Sequence, residues 1–204
     1  QREFVEETQE SVGLFINNKI WMSITPLEVQ SHYMPIQLAE GKVGVGGLGL
    51  GYYVNRILES SLVDEVHVYE LNQDVIDLYI AKFGIHEKLT IHKQNVLEVK
   101  DESFTFFYMD IYETLLADDI YKDMAKMLNN NDILCYHFWG MEELIVALLN
   151  AGISCYVSYG DFLYKAFISE LINENRVFHF NLDGHDVLDE LDNYGLVNYF
   201  LGED

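Results

Sequence analysis

Short hydrophobic runs alternate with helix-length amphipathic segments from residue 42 onward. The runs are rich in Val, Ile, Tyr and Phe, and this alternation is typical of a parallel sheet that is covered by helices. Right-handed crossovers would give an open twisted sheet with its ligand crevice at the carboxyl ends of the strands. We therefore predict an α/β fold with seven strands, over residues 42–46, 65–70, 89–92, 104–110, 132–138, 153–158 and 164–171.

The segments between these runs show helical spacing. Residues 74–83 carry large apolar side chains at positions i, i+3, i+4 and i+7, so that one stripe can cover the sheet. This stripe consists of Ile76, Tyr79, Ile80 and Phe83. Residues 52–60, 116–128 and 141–150 show a similar pattern, which predicts helices on both faces of the sheet.

The two ends of the chain differ from this central unit. Two apolar runs flank residues 17–19, which predicts a β-hairpin, and Thr25 and Pro26 then favour the start of a helix. After Leu171 the chain carries eight acidic residues against the single basic residue Arg176. We predict an N-terminal hairpin and helix extension over 1–40, a main domain over 41–171, and an acidic C-terminal extension over 172–204 that packs on the same domain.

Composition and charge narrow the class of partner. The chain has 204 residues, half of them hydrophobic, and only two prolines, which is typical of a packed globular protein. Twelve basic against thirty-four acidic side chains give a formal net charge of -22. Because this charge repels a phosphate backbone, we expect no nucleic-acid partner. The same field attracts cations, although colloidal solubility is its simpler explanation.

The remaining composition favours a reducing compartment and predicts no metal site. Cys135 and Cys155 lie in apolar runs, where cysteine is usually a small buried hydrophobe. The seven histidines show no close pairing that is typical of a metal cage. His137, near the end of the fifth predicted strand, is the one closest to the expected crevice, and we assign it no role. No apolar run approaches a membrane span, so we expect a cytoplasmic protein with no membrane partner.

The most informative segment is a glycine-rich run after the first predicted strand. Five glycines fall within the eight residues 44–51, a density that would disrupt a plain helix or strand, so the run predicts a tight strand-to-helix turn. Glycine lets the backbone approach a ligand closely, and the following helix offers free amide hydrogens and a positive dipole end. Glu70 ends the next strand 23 residues after Gly47, where an acid commonly accepts hydrogen bonds from a ribose.

These two segments resemble motifs one and two of class I S-adenosylmethionine-dependent methyltransferases. The resemblance rests on residues 47–51 and 68–76, and it extends equally to the spermidine synthases, which also carry a hairpin and helix before the glycine turn. It implies a Rossmann-like seven-stranded methyltransferase sheet and S-adenosylmethionine as the cofactor. The acceptor would be a small molecule or a protein, and a homo-oligomer is compatible with the sequence.

The resemblance also implies roles for individual residues. Gly47 and Gly49 would pass under the methionine part of the cofactor, Glu70 would bind its ribose, and Leu71 would pack on the adenine. The complete set of residues expected at the cofactor is Gly47, Leu48, Gly49, Gly51, Glu70, Leu71, Asn95, Val96 and Asp110.

Three of these expectations concern the adenine and the reacting centre. Asn95 would accept a hydrogen bond from the adenine amino group, and Val96 would offer its backbone amide to the ring. Asp110, at the end of the fourth strand, would face the sulfonium and act as the catalytic residue, either by stabilising positive charge or by taking a proton from an incoming amine.

Three alternatives stay open at the level of sequence. A spermidine synthase-like aminopropyltransferase would use decarboxylated S-adenosylmethionine and a polyamine; Val45 fits that family, whereas the residues after Asp110 lack its signature. In a dehydrogenase, residues 44–49 would form the dinucleotide-binding motif. In that frame, the first strand must end by Val43. A degenerate domain would keep the fold as a scaffold without catalysis.

Overall fold

The structure is a computed structural model that describes residues 12–16, 19–113, 117, 119–141, 154–159, 162–163 and 177–181. The described chain begins with strands β1 (Val12–Ile16) and β2 (Lys19–Ile24), which pair antiparallel. Helices α1 (Pro26–Ser31) and α2 (Tyr33–Leu38) follow.

Local chemistry explains the two short helices. The Thr25 hydroxyl accepts a hydrogen bond from the Glu28 amide at 3.2 Å, so it caps α1, and Pro26 occupies the first turn, where no amide hydrogen is needed. The single helix expected here is divided at His32. Pro35 has no amide hydrogen to donate to Ser31, and this loss interrupts the helical hydrogen-bond ladder.

Five parallel strands form the central sheet, and they correspond to the first five predicted strands. The sheet order is β5-β4-β3-β6-β7. The chain therefore starts in the middle, fills one side, and then crosses to the other, which creates a switch point beside the central strand. The strands are β3 (Gly41–Gly46), β4 (Val63–Glu70), β5 (Leu89–Lys93), β6 (Ser103–Met109) and β7 (Asp132–Phe138).

Helices connect these strands. They are α3 (Tyr52–Leu58), α4 (Gln73–Phe83) and α5 (Ile120–Asn130), with a 3-10 turn at Val96–Glu98. The buried residues of α4 are Val75, Ile76 and Tyr79, whereas Ile80 and Phe83 are 36% and 51% exposed. The predicted stripe was therefore wrong in its second half, where these two side chains are exposed.

The hydrophobic core lies between the sheet and its helices. Alternate residues of β3 and β4 point to one face, as strand geometry requires, and they pack with residues of α3 and α4. The most completely buried members of this cluster are Val43, Val45, Val54, Ile57, Val63, Val66, Val68, Phe106 and Tyr108. A rigid layer of this kind fixes the carboxyl ends of the strands relative to one another.

Two glycines of the glycine-rich run belong to the strand and not to the turn. β3 continues to Gly46, so the dinucleotide frame, which requires the strand to end by Val43, does not fit. A Cβ atom at Gly44 would meet the ring of Phe107, and one at Gly46 would lie 2.6 Å from the sulfur of Met109. These two glycines make room for side chains of the neighbouring strand β6.

A second sheet lies later in the chain. Strand β8 (Ser154–Tyr159) pairs antiparallel with β9 (Phe162–Leu163) and parallel with β10 (Val177–Asn181). The sixth predicted strand is therefore present, with β9 and β10 as its partners. Among the described residues the parallel sheet has five strands, so the predicted seven are not confirmed. An apolar run predicts a strand without naming its partner.

Some expectations fall outside the described residues: the seventh strand over 164–171, the helix over 141–150 beyond Met141, and most of the C-terminal extension. In the part of the chain that the structure describes, no helix has both the length and the apolar character that crossing a bilayer requires.

Candidate functional site

The turn after β3 is held between its two neighbouring strands. The Gly47 amide donates to the Tyr69 carbonyl at 2.9 Å, and the Asp110 amide donates to the Gly46 carbonyl at 2.8 Å. Gly47 has φ +91°, and a Cβ atom there would collide with the backbone carbonyl oxygen of Asp110. Only glycine fits this position, so the backbone of the turn is bare on the side where the strands end.

Glu70 fixes the turn from the adjacent strand. Its Oε2 accepts a hydrogen bond from the Leu48 amide at 3.0 Å, and its Oε1 accepts one from the Asn72 amide at 2.7 Å. A carboxylate can accept about four hydrogen bonds, so capacity remains for hydroxyl donors of a ligand. Glu70 therefore supports the turn and still offers acceptor sites beside it.

A cavity of about 810 Å³ opens at the carboxyl ends of the strands. This volume lies within the range of small-molecule and cofactor sites. Seven of the nine residues expected at the cofactor line it, namely Gly47, Gly49, Glu70, Leu71, Asn95, Val96 and Asp110. Residues from four separate segments of the chain therefore converge on one space.

The other two expected residues lie beside this cavity. The Leu48 side chain is 4% exposed and belongs to the hydrophobic core. Gly51 begins α3 at φ +78°, and a Cβ atom there would meet the ring of Tyr79. Both residues line a smaller adjoining cleft that also includes Gly47, Gly49 and Asp110.

The wall expected to face the adenine combines one exposed apolar side chain with a polar turn. Leu71 is 68% exposed at the cavity, so a flat ring can cover it. The Asn95 side chain accepts a hydrogen bond from the Leu97 amide at 3.1 Å, which caps the short 3-10 turn. Val96 is 3% exposed, and its side chain faces Gly46 of β3, so its backbone is the part that can contact a ligand.

Asp110 has a partner that the sequence analysis missed. His32 Nε2 lies 3.2 Å from Asp110 Oδ2, and His32 is 3% exposed. His32 Nδ1 lies 2.7 Å from the Glu28 carbonyl oxygen. Because a carbonyl only accepts, Nδ1 carries the hydrogen, and Nε2 is the nitrogen that faces Asp110.

Aromatic rings enclose this histidine. The rings of Tyr52, Tyr53 and Tyr108 lie 5.7, 5.9 and 5.7 Å from the His32 ring, measured between centroids. A second link holds α1 to the sheet, because the Trp139 indole donates to the Ser31 hydroxyl at 3.0 Å. The first helix of the extension is thus attached to the carboxyl edge of the sheet at two points.

Burial and nearby charges have opposing effects on the pKa values of Glu28 and His32. Burial alone would lower the pKa of His32, but the hydrogen bond and charge of Asp110, together with Glu28, outweigh it and raise that pKa. Burial raises the pKa of Glu28, with the nearby charge of His32 opposing this effect and that of Asp110 adding to it.

One signal could have pointed to His32. Glu28 and His32 are four residues apart at the end of a predicted helix, so they share one helical face just before the glycine turn. His137, which the sequence analysis placed nearest the crevice, is instead 3% exposed in the core, with its ring 5.8 Å from that of Tyr108. It does not line either cavity described above.

The cavity is strongly acidic. Four carboxylates line it, against the single ammonium group of Lys93. These acids are Glu28, Glu70, Asp110 and Glu113. A space of this charge favours positively charged ligands and cationic groups.

No protein-family model matches the chain, and no curated protein matches it. Solved structures that resemble it include the N-methyltransferase NodS of Bradyrhizobium japonicum in complex with S-adenosyl-L-homocysteine, with a TM-score of 0.42 and 10% identity over 54% of this chain and 61% of that one. An S-adenosylmethionine-dependent methyltransferase of Clostridium acetobutylicum matches with a TM-score of 0.36 and 14% identity, over 52% of this chain and 46% of that one. A dimethyladenosine transferase of Plasmodium falciparum matches with a TM-score of 0.35 and 12% identity, over 43% of this chain and 32% of that one. The chain spans less than two thirds of the length of each of these proteins.

Proposed function

We propose that this chain is an S-adenosylmethionine-dependent methyltransferase that acts on a small molecule or a protein, in the cytoplasm and without nucleic-acid or membrane partners. One observation carries the proposal: the glycine turn, the acid that ends the next strand and the acid that ends β6 all line the same cavity. Each of these features alone is common in α/β proteins. Their convergence at the switch point of the sheet is what a class I cofactor site requires.

The residues present fit this cofactor. Gly47 and Gly49 line the cavity with backbone that carries no side chain, so a ligand can approach it closely. The free acceptor capacity of Glu70 suits the two hydroxyls of a ribose, and exposed Leu71 suits an adenine face. Asn95 and the Val96 backbone lie on the same wall, where they would contact the edge of the base.

The cofactor, when bound, supplies a methyl group on a positively charged sulfonium. Asp110 lies at the end of β6 with 23% of its side chain exposed, so its carboxylate can stabilise a nearby positive charge. An amine acceptor must lose a proton before it attacks carbon, and Asp110 and its partner His32 are the groups placed to hold that proton. Glu28 of α1 also lines this part of the cavity.

The test is a calorimetric titration with S-adenosylmethionine and S-adenosylhomocysteine, comparing Leu71→Ala with Leu62→Ala. Leu71 and Leu62 are 68% and 63% exposed, but only Leu71 lines the cavity. Neither change should disturb the core. Because a fully buried leucine contributes about 1.5–3 kcal/mol, we expect Leu71→Ala to weaken binding by about tenfold and Leu62→Ala to leave it unchanged. Absence of binding by the wild-type chain at millimolar cofactor would refute the proposal and favour a scaffold.

Aminopropyl transfer is the second candidate, and one observation favours it. Glu113 follows Asp110 by three residues and also lines the cavity, so two carboxylates could hold a cationic amine there. This reaction would use decarboxylated S-adenosylmethionine and would release methylthioadenosine, whereas methyl transfer releases S-adenosylhomocysteine. Incubation with each cofactor form and a mixture of amines, followed by mass spectrometry of the nucleoside product, separates the two reactions.

A further inference from the structure

We propose that Glu28, His32 and Asp110 form a binding site for one divalent transition-metal ion, at the point where α1 meets the end of β6. Each of these residues offers one ligand atom, and the three atoms lie within 4.8 Å of one another. Among the described residues, no second group of three or more potential ligands has its ligand atoms this close together. The site shares Asp110 with the proposed reaction centre, and the experiment below measures metal binding and cofactor binding separately.

The hydrogen-bonding pattern of His32 is the first argument. Its Nδ1 donates to the Glu28 carbonyl at 2.7 Å, so Nε2 is the nitrogen that faces the carboxylate of Asp110 at 3.2 Å, and in the neutral ring Nε2 is an acceptor. Two acceptors that face each other need a cation between them. A ring nitrogen that is fixed by a backbone carbonyl on its far side is also the usual arrangement of a metal-binding histidine.

The distance between the two groups is the second argument. A charge-assisted hydrogen bond between an imidazolium and a carboxylate is usually about 2.7–2.9 Å long. Two neighbouring ligands of a metal ion, each at about 2.1 Å, are separated by about 3.0 Å in octahedral and about 3.4 Å in tetrahedral geometry. The separation of 3.2 Å between Nε2 and Oδ2 falls between these values.

Charge is the third argument. Two carboxylates and a neutral imidazole carry two negative charges in a pocket whose other walls include the rings of Tyr52, Tyr53 and Tyr108. One proton on His32 would neutralise half of this charge, whereas a divalent ion would neutralise all of it. The His32 side chain is 4% exposed, so the remaining charge would be poorly solvated.

The donor set selects the class of ion. Mg²⁺ and Ca²⁺ prefer oxygen ligands alone, whereas one imidazole with two carboxylates suits Zn²⁺, Co²⁺ or Mn²⁺. Three protein ligands leave coordination positions free, as in catalytic rather than structural sites. Glu28 and Asp110 also line the large cavity, so the free positions would face the acceptor side of it. An acceptor with a hydroxyl or amine group could then bind the metal directly.

The experiment is a titration of the chelator-treated 204-residue chain with Co²⁺, followed by visible absorption, and with Zn²⁺, followed by calorimetry. We expect one ion per chain, and binding weakened about 100-fold in His32→Gln and in Glu28→Gln. The matched controls are His86→Gln and Glu59→Gln, which alter exposed residues far from the group. These controls should bind the ion as the wild-type protein does.

Two results would overturn the metal site: no saturable binding by the wild-type protein, which would leave a proton as the cation between His32 and Asp110, or binding that persists in both variants. Circular dichroism and thermal unfolding show whether the variants fold; if one does not, the wild-type titration and the other variant still decide. A parallel titration of the chelator-treated protein with S-adenosylhomocysteine reports on the cofactor site separately. Failure of one site therefore does not imply failure of the other.

Discussion

A single methyl group added to the turn after β3 tests how closely its backbone approaches β6. At Gly47 the new Cβ atom would strike the Asp110 carbonyl, whereas at Gly49 it would meet only the flexible end of Met22. Both glycines have positive φ, at +91° and +55°. We expect Gly49→Ala to cost about 1–2 kcal/mol of unfolding free energy from backbone strain, and Gly47→Ala to cost about 2 kcal/mol more from the collision.

Urea unfolding followed by circular dichroism measures both changes, and each variant serves as the control for the other. Equal losses of stability would mean that β6 can move away from the turn without cost. That result would remove the argument that this backbone is held rigidly beside the cavity.

At the scale of single residues, the sequence predicted the strand over 42–46 and the turn that follows it, but not why the strand contains Gly44 and Gly46. That reason is a contact with a distant part of the chain, because β6 places Phe107 and Met109 over these two glycines. His32 was missed for a related reason. Its partner Asp110 is 78 residues away, so no local pattern connects the two.

At the scale of elements, two histidines pair across neighbouring strands outside the candidate site. His67 Nδ1 on β4 lies 3.1 Å from His92 Nε2 on β5, with the two rings stacked, and His67 Nε2 lies 3.3 Å from Glu65. Burial lowers the pKa of His92, the charges of His67 and Lys42 lower it further, and Glu102 opposes them. Protonation of both rings would place two N–H groups face to face.

This pair predicts a dependence of stability on pH. Because the pKa of His92 is lower in the folded chain than its unfolded value of 6.5, the unfolded chain binds more protons in that window, and the free energy of unfolding rises with pH there. The contribution of neutral His92 to the free energy of unfolding is fully present above pH 6.5, and it is lost as the pH falls through the pKa of His92 in the folded chain. His92→Gln should therefore lower stability at pH 7 but flatten the decline between pH 7 and pH 5.

Urea midpoints measured across this range test the prediction, with His86→Gln as the control. His86 is exposed, and its ring accepts a hydrogen bond from the Lys88 amide. An unchanged pH profile in His92→Gln, compared with the wild-type protein, would show that the pair is not the source of the dependence.

The elements themselves were largely predictable, whereas their partners were not. Five predicted strands form the parallel sheet because their apolar runs are bounded by turns and helices. β8 was predicted as a strand, but its pairing with β9 and β10 depends on contacts across the chain that periodicity does not encode. Pro35 is the signal in the sequence that predicts the division between α1 and α2.

At the scale of the whole molecule, the net charge limits which class of acceptor can bind at the cavity. The formal charge is -22, and the cavity itself carries four carboxylates against Lys93. Several of the described basic side chains are already paired, as Lys42 is with Glu102, Arg56 with Glu59 and Lys122 with Asp119. A nucleic-acid site needs a basic face that can release counterions from phosphates, and this surface opposes such contact at long range.

We therefore expect no saturable binding of RNA, even at low salt, where electrostatic attraction would be strongest. The measurement is fluorescence anisotropy of a labelled 20-nucleotide single strand and a labelled hairpin, at 20 and 200 mM NaCl and with protein in the micromolar range. A basic RNA-binding protein in parallel shows that the probes are competent. Binding that is tight at 20 mM and weakens steeply at 200 mM would instead reveal a basic surface that the net charge conceals, and it would move the acceptor from small molecules and proteins to RNA.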